Sequence, residues 1–396
     1  MVSARTVCIG CYDTLNHPPQ DAARRTKSAT KPLMRQLLSM FRRAGAGEYP
    51  LGYVAALDGA RGLMTVGVLV AHIHYSLYPG SIIFMDTFFM MSAYLITALL
   101  LKDWTRHGRL RFWTFYTRRF LRLFPALALL LLAFAVVVAL FLDNKSKHAF
   151  DIASAFFYFS NWTRAFGYET PPAYLGHTWS LSIEEQFYAL WPLCLLLLLK
   201  RYGISARVAI GLLVLAIGVS LWRFWLAQSG APVYRMYNGF DTRADSLLLG
   251  CMLAFLLHER ESPLRTRLAR HARWLVPTVS VVMFLLGLRM SFEDIDFYRY
   301  WQSLCLVLSL LFCAGLIAGR DTLAHRFFEL PFLVYLGKIC YGLYLWHVPV
   351  FLLMRLNLKM SEPWEWTAGI AITMLLASVS HFFVEQKALA LRHKFG

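Results

Sequence analysis

Long apolar runs broken by short polar segments recur along most of the chain, and several of them approach the roughly 20 residues that a membrane-spanning helix requires. Read as helices, they predict about ten spans, at roughly 59–78, 82–101, 125–142, 181–199, 206–226, 244–258, 274–289, 300–318, 339–356 and 366–384. Apolar residues make up 58% of the 396 positions and charged residues only 16%, a balance that no soluble core needs. The expected fold class is therefore all-α, a polytopic integral membrane helix bundle. Residues 1–54 read as a basic tail, 55–387 as the membrane domain and 388–396 as a short tail.

Charge changes the picture in one respect. Lys and Arg number 40 against 23 acids, a net charge of +17 that in a soluble protein would suggest nucleic acid as a partner. With the N-terminus in the cytosol, the cytosolic segments hold about 29 basic residues and the outer loops about 10, as the positive-inside rule requires. Both termini are thus expected to be cytosolic. No RNA-binding motif and no regular basic and aromatic interleaving occurs outside the membrane flanks, so nucleic acid is not an expected partner; anionic lipid and an anionic ligand are. The tail lacks the apolar core and cleavage site of a secretory signal. Its segment Pro32–Arg43 has apolar residues at helical spacing with a cationic face, suited to lying on the inner leaflet or to remaining unstructured. Cys8 and Cys11 form a lone CxxC, too little for zinc or redox chemistry, and Cys194, Cys251, Cys305, Cys313 and Cys340 fall in or beside apolar spans as small hydrophobes. No metal site is expected.

Ionisable residues inside the apolar runs are the candidates for chemistry, because each costs on the order of 2.5–3.5 kcal/mol on membrane-insertion scales. In LDGARGLMTVGVLVAH, Arg61 and His72 are eleven residues apart. Eleven steps of about 100° return to within about 20°, so both side chains share one helix face, roughly 16 Å apart along the axis. His74 points about 200° away from His72. An anion-binding group and a proton-handling group thus lie on one stripe. Asp86 and Ser92 follow in FMDTFFMMSAYLIT, where Asp86 is expected to orient the His72 ring and Ser92 to pack helices. Arg118, Arg119 and Arg122 crowd one helical turn beside Trp113 and Tyr116 in an expected cytosolic loop, a set able to hold phosphates and stack a purine, or to anchor an interfacial helix on anionic lipid.

At the opposite side, GHTWSLSIEEQFYALWPL brings Trp179, Ser182, Glu184, Glu185 and Tyr188 to a membrane entrance. Ser182 with Glu185 reads as a capping box, which leaves Glu184 as the freer carboxylate. Arg243 and Asp245 lie at the same expected level, as acceptor contacts or as residues snorkelling at a helix end. Tyr344 and His347 form an i, i+3 pair on the ninth span, serving either an acceptor or helix packing.

Taken in order, these stretches resemble the membrane acyltransferase 3 group, polytopic enzymes that acylate sugars and related hydroxyl compounds. The resemblance runs from about residue 55 to 385 through LDGARG with Arg61 and His72, MDTFFMMSAYLIT, TWSLSIEEQFYALWPL, TRADSLLLG and LGKICYGLYLWH. Ala93 stands where that group usually has Gly, Cys340 and Gly342 where Ser is common, and FVEQKA lacks the usual Arg and Pro after Glu385. The resemblance implies transfer of an acyl group, acetyl above all, from cytosolic acyl-CoA to a hydroxyl of an envelope glycan or a secondary metabolite, in a bacterial inner membrane. His72 and Asp86 would then be catalytic, with His72 a general base or an acyl carrier. Arg61, Arg118, Arg119 and Arg122 would hold the donor's phosphates. Trp179, Glu184, Arg243, Asp245, Tyr344 and His347 would meet the acceptor. Some members of the group carry a further extracytoplasmic hydrolase-like domain that these residues do not include, so acceptor delivery is expected to use the bundle or a partner. The rival reading is a transporter or flippase of a glycan or lipid-linked substrate, since membrane His, Asp and Arg also build proton relays.

Overall fold

A computed structural model describes residues 54–169, 171–259 and 262–391. The expected N-terminal tail up to residue 53, with Pro32–Arg43, Cys8 and Cys11, lies outside the described residues, as do residues 392–396 of the C-terminal tail. Ten helices of 17 residues or more occur among the described residues. They are α1 (Ala55–Ile73), α2 (Ile82–His107), α3 (Phe112–Phe141), α4 (Trp179–Tyr202), α5 (Ala206–Gln228), α6 (Phe240–Leu256), α7 (Pro263–Gly287), α8 (Gln302–Ala318), α9 (Pro331–Leu352) and α10 (Glu362–Ser380). Each overlaps one of the expected apolar runs, with ends that differ by several residues. Eight are long and apolar enough to cross a membrane, which makes the protein a multi-pass integral membrane protein. α8 reaches that length together with the π-helical turn Phe297–Trp301 before it; the other two are α6, short at 17 residues, and α7, whose first half is strongly basic.

Helix α3 corrects the sequence reading most. The expected span began at residue 125, but the helix starts at Phe112 and runs for 30 residues. Arg118, Arg119 and Arg122 are therefore helical residues roughly 9–15 Å above its first turn, not members of a loop. Their long stems and the neighbouring aromatics let the helix carry charge past the point where a hydropathy window stops. Helix α4 starts at Trp179, after a 3₁₀ turn at Gly176–Thr178, so Ser182 is an interior residue. Its hydroxyl donates to the Thr178 carbonyl at 3.1 Å and no capping box forms. Glu185 is thereby free for another partner.

The helix pair that positions everything below is α1 against α9, the most extensive contact in the protein. Their backbones touch. A Cβ placed on Gly337 would lie 1.8 Å from the Asp58 carbonyl oxygen, and one on Gly62 would lie 2.3 Å from that of Leu333. In lipid there is little hydrophobic drive between helices, so close packing of small residues must supply the association. A second such seam joins α6 to α2, where a Cβ on Gly250 would meet the Met90 carbonyl at 2.2 Å and the Ala93 methyl at 3.0 Å. The Ala93 that departs from the family pattern is thus accommodated by a glycine opposite.

For Gly337→Ala two effects oppose. Helix propensity favours alanine by about 1 kcal/mol, whereas overpacking against a rigid backbone costs about 1–3 kcal/mol and here cannot be relieved by a side-chain rotation. The clash wins, and thermal unfolding in detergent is expected to show a clearly lowered midpoint for Gly337→Ala.

Candidate active site

At the end of the bundle where α1 begins, Arg61 is ion-paired with Asp58 at 3.8 Å and lies within electrostatic reach of Cys340, Glu184 and Tyr188. Arg122 feels the charges of both Arg61 and Arg119. The Arg119 guanidinium sits 3.5 Å over the Tyr188 ring, with its Nε 3.4 Å from Glu185 Oε1. Tyr188 donates its hydroxyl proton to Glu184 at 3.1 Å, so in its contact with Ser92 the serine must be the donor. Ser92 therefore acts as the expected packing residue between α2 and α4. Sequence reasoning put Arg119 and Glu185 on opposite sides of the membrane; the helix lengths bring them together inside the bundle.

A cleft of about 300 Å³ opens beside this cluster, lined by Lys102, Arg106, Arg111, Arg118, Arg119 and Arg122. Asp103 is the acid on its wall and is already committed to Arg111 at 2.8 Å and His107 at 3.0 Å. Arg118 and Arg122 are exposed. Such a wall is suited to a polyanion, since each guanidinium offers a planar fork to phosphate oxygens. Trp113 is 76% exposed and free to stack, whereas the Tyr116 ring packs on Phe112 and Phe115 and its hydroxyl donates to the Ala189 carbonyl at 2.9 Å.

His72 stands at the opposite end of the same helix, and is exposed. Its Nδ1 is 2.9 Å from the Val68 carbonyl. A carbonyl can only accept, so Nδ1 carries the proton and Nε2 keeps its lone pair. The backbone does the work that sequence reasoning assigned to Asp86. That carboxylate instead lies 3.0 Å from Arg243 Nη2 and accepts from Gln302 at 3.3 Å, every one of them fully buried. The reason is charge: a buried arginine on α6 demands a counter-ion more strongly than an imidazole does. Asp245 is likewise taken, by Arg223 at 2.5 Å and Ser220 at 2.9 Å. Arg243 and Asp245 are fully buried members of this network, not contacts at an outer surface. Trp179 is buried between Phe89 and Tyr237.

Around His72 lie two further imidazoles. Its ring is 4.8 Å from that of His347, edge to face, and His347 is 5.3 Å from His177. His347 is fully buried, and the Tyr344 hydroxyl is spent on the His177 carbonyl and on Ser180, contacts that fit the helix-packing alternative for this pair. The half-buried residue after the helix, His74, bonds Ser76 and packs on Trp366. Outside the spans, Arg164 reaches both His72 and His177 with its charge and is held by Glu169, whose carboxyl is pushed up by burial despite that partner. Sequence reasoning passed over His177 and Arg355, and it gave Glu185 to a capping box and Tyr188 to a membrane entrance. Arg355, in the π-helical segment Leu353–Asn357 after α9, donates from Nη2 to the Ile73 carbonyl at 2.7 Å and from Nε to buried Glu365 at 3.0 Å. It caps the turn that carries His72, and the only sequence signal for it was a lone charge in an apolar run.

Arg355→Ala would leave the Ile73 carbonyl and the Glu365 carboxylate without their partner, a loss of about 1–3 kcal/mol for a buried acceptor. A lowered unfolding midpoint for Arg355→Ala, partly restored in Arg355→Lys, is the expected result. Asp86→Asn should cost more, about 3 kcal/mol, because it strands the Arg243 charge; it is checked by the same melt and by the coupling seen when Arg243→Met is added.

Residues 54–381 match the model of a family described as an acyltransferase domain. Among curated proteins the chain is 33% identical over 355 residues to a peptidoglycan O-acetyltransferase of Listeria monocytogenes, covering 85% of this chain and 56% of that protein. It is 31% identical over 348 residues to a putative O-acetyltransferase of Staphylococcus aureus, 84% of this chain and 57% of the relative. A putative peptidoglycan O-acetyltransferase of Bacillus subtilis is also 31% identical, over 84% of this chain and 54% of its own length. The chain thus spans about half the length of the curated relatives it matches. No solved structure matches the chain.

Proposed function

Since the chain belongs to this acyltransferase domain family, we propose that it is a membrane O-acyltransferase that moves an acyl group, acetyl first among the candidates, from acyl-CoA to a hydroxyl of an envelope glycan, with peptidoglycan the leading candidate acceptor. The observation that carries the reading is the arrangement along α1: Arg61, near a polycationic cleft of α2 and α3, at one end and an accessible imidazole with a free Nε2 at the other, the two side chains on one helix face. Eleven residues of helix separate the two by roughly 16 Å, a length that an extended pantetheine arm can span. With both termini cytosolic, the cleft is on the side where acyl-CoA resides.

In this mechanism Arg118 and Arg122 bind phosphates of the donor and Arg61 neutralises charge where the arm enters. Arg119 is partly spent on Glu185, so it shapes the wall more than it binds. The thioester reaches His72. There Nε2 takes the proton of the acceptor hydroxyl as its oxygen attacks the acyl carbon; the C–S bond breaks, and the same proton returns to the sulfur. Val68 holds the tautomer throughout. The carboxylate of Asp86 takes no part beyond maintaining the bundle.

His72→Ala is expected to lower transfer by about 10²–10⁴-fold while leaving membrane insertion intact. Radiolabelled acetyl-CoA, purified protein in detergent and a soluble peptidoglycan fragment provide the assay. Arg61→Lys keeps the charge but loses the fork, so it should weaken acetyl-CoA binding while His72→Ala leaves binding unchanged. Wild-type turnover by His72→Ala would remove the reading, and failure of the folded wild-type protein to bind acyl-CoA would favour a transporter instead.

A further inference from the structure

Three imidazoles cluster at the end of α1, and the proposed function uses one. The hydrogen bonds fix the tautomer of each. His347 Nδ1 lies 2.6 Å from the Tyr344 carbonyl and 3.1 Å from that of Leu343, so Nδ1 bears the proton and Nε2 the lone pair. His177 is the reverse: Nε2 lies 3.1 Å from the Leu345 carbonyl, which leaves the lone pair on Nδ1. Both of these lone-pair atoms, His347 Nε2 and His177 Nδ1, are buried and without any hydrogen-bond donor. The rings are locked in place, because Tyr344 donates to the His177 carbonyl while His177 donates to the carbonyl of Leu345 beside it.

A buried acceptor with no donor costs about 1–3 kcal/mol, and two of them side by side are not explained by packing, which a phenylalanine would provide more cheaply. A positive charge formed next to them would recover that cost. The lone-pair end of a neutral imidazole is the negative end of its dipole; beside a neutral His72 it gains little, and beside an imidazolium it gains an attraction.

On the strength of the acyl-transfer reading, we propose that His347 and His177 are positioning residues for His72, two fixed neutral imidazoles that stabilise the imidazolium formed while His72 holds the acceptor's proton. They take no proton themselves. The proton leaves the acceptor oxygen for His72 Nε2 as the C–O bond forms, and leaves Nε2 for sulfur as the C–S bond breaks. Their benefit exists only in that interval, which raises turnover and not substrate affinity. The Arg164 cation, which also reaches His72, would oppose it, and Glu169 offsets that charge.

Two substitutions separate this role from packing. In His347→Asn the amide nitrogen replaces Nδ1 and still donates to the helix carbonyls, but nothing replaces the Nε2 lone pair. In His347→Gln the side-chain oxygen can stand at the Nε2 position. The Asn variant is expected to lower kcat by about 10–100-fold with the KM for acetyl-CoA changed by less than about twofold, and the Gln variant to recover most of the loss. His177→Gln, which keeps a donor at the Nε2 position and removes the Nδ1 acceptor, should lower kcat in the same way and serves if His347→Asn does not fold. Added to His72→Ala, His347→Asn should cause no further loss, since no imidazolium forms for it to stabilise. Wild-type kcat in both His347→Asn and His177→Gln overturns the proposal while leaving His72 as base. Equal losses in Asn and Gln accompanied by lowered unfolding midpoints also overturn it, in favour of packing. Full activity in His72→Ala removes the underlying reading and this proposal with it.

Discussion

Backbone contact between α1 and α9 is the constraint on which the site depends. Glycines at 62 and 337 let the two helices approach until carbonyl oxygens stand where side chains would otherwise be. That approach sets Arg61 within reach of Cys340 at one end and the His72 ring against His347 at the other. It also brings the segment after α9 close enough for Arg355 to grip the last turn of α1. One seam thus fixes the surroundings of both Arg61 and His72. A seam built of rigid backbone, not of adaptable side chains, preserves the roughly 16 Å spacing that helix geometry provides.

The charges of the bundle divide into two groups with different consequences. Arg223 with Asp245 and Arg243 with Asp86 are fully buried and matched, acid for base. A matched buried set contributes architecture, since removing any one member strands another. The cluster of Arg61, Arg119 and Arg122 with the cleft beside it is different: its cations outnumber the acids that face them, and Arg118 and Arg122 remain exposed. Excess positive charge held in place by the fold is an invitation to an anion. The donor proposed above is an anion of that kind.

How the imidazole is oriented follows from its place on a helix. In the last turn of α1 the side chain can fold back onto the carbonyl four residues earlier, and Val68 thereby fixes the tautomer without any carboxylate. A carboxylate at that position would hold the proton more tightly and would add a charge to a low-dielectric site. The same device recurs at His347, whereas His177 spends its Nε2 donor on the Leu345 carbonyl of α9. In all three rings a main-chain carbonyl fixes the tautomer.

Sequence alone determined the class of the protein and the alignment of Arg61 with His72 on one helix face. Apolar run lengths mark the helices because the bilayer sets a length, and the Arg61–His72 alignment follows from the helical repeat; neither needs knowledge of neighbours. Which helices meet was beyond it. Asp86 looked like a partner for His72 because the two are close along the chain, and its true partner, Arg243, is more than 150 residues away. Glu185 fitted a capping box until α4 proved to begin several residues earlier, at Trp179. Arg119 lay in an expected loop until α3 proved to be 30 residues long. Local pattern reads spacing within one helix, whereas the partner of a buried charge is chosen by desolvation across helices, and that choice exists only once the bundle has packed.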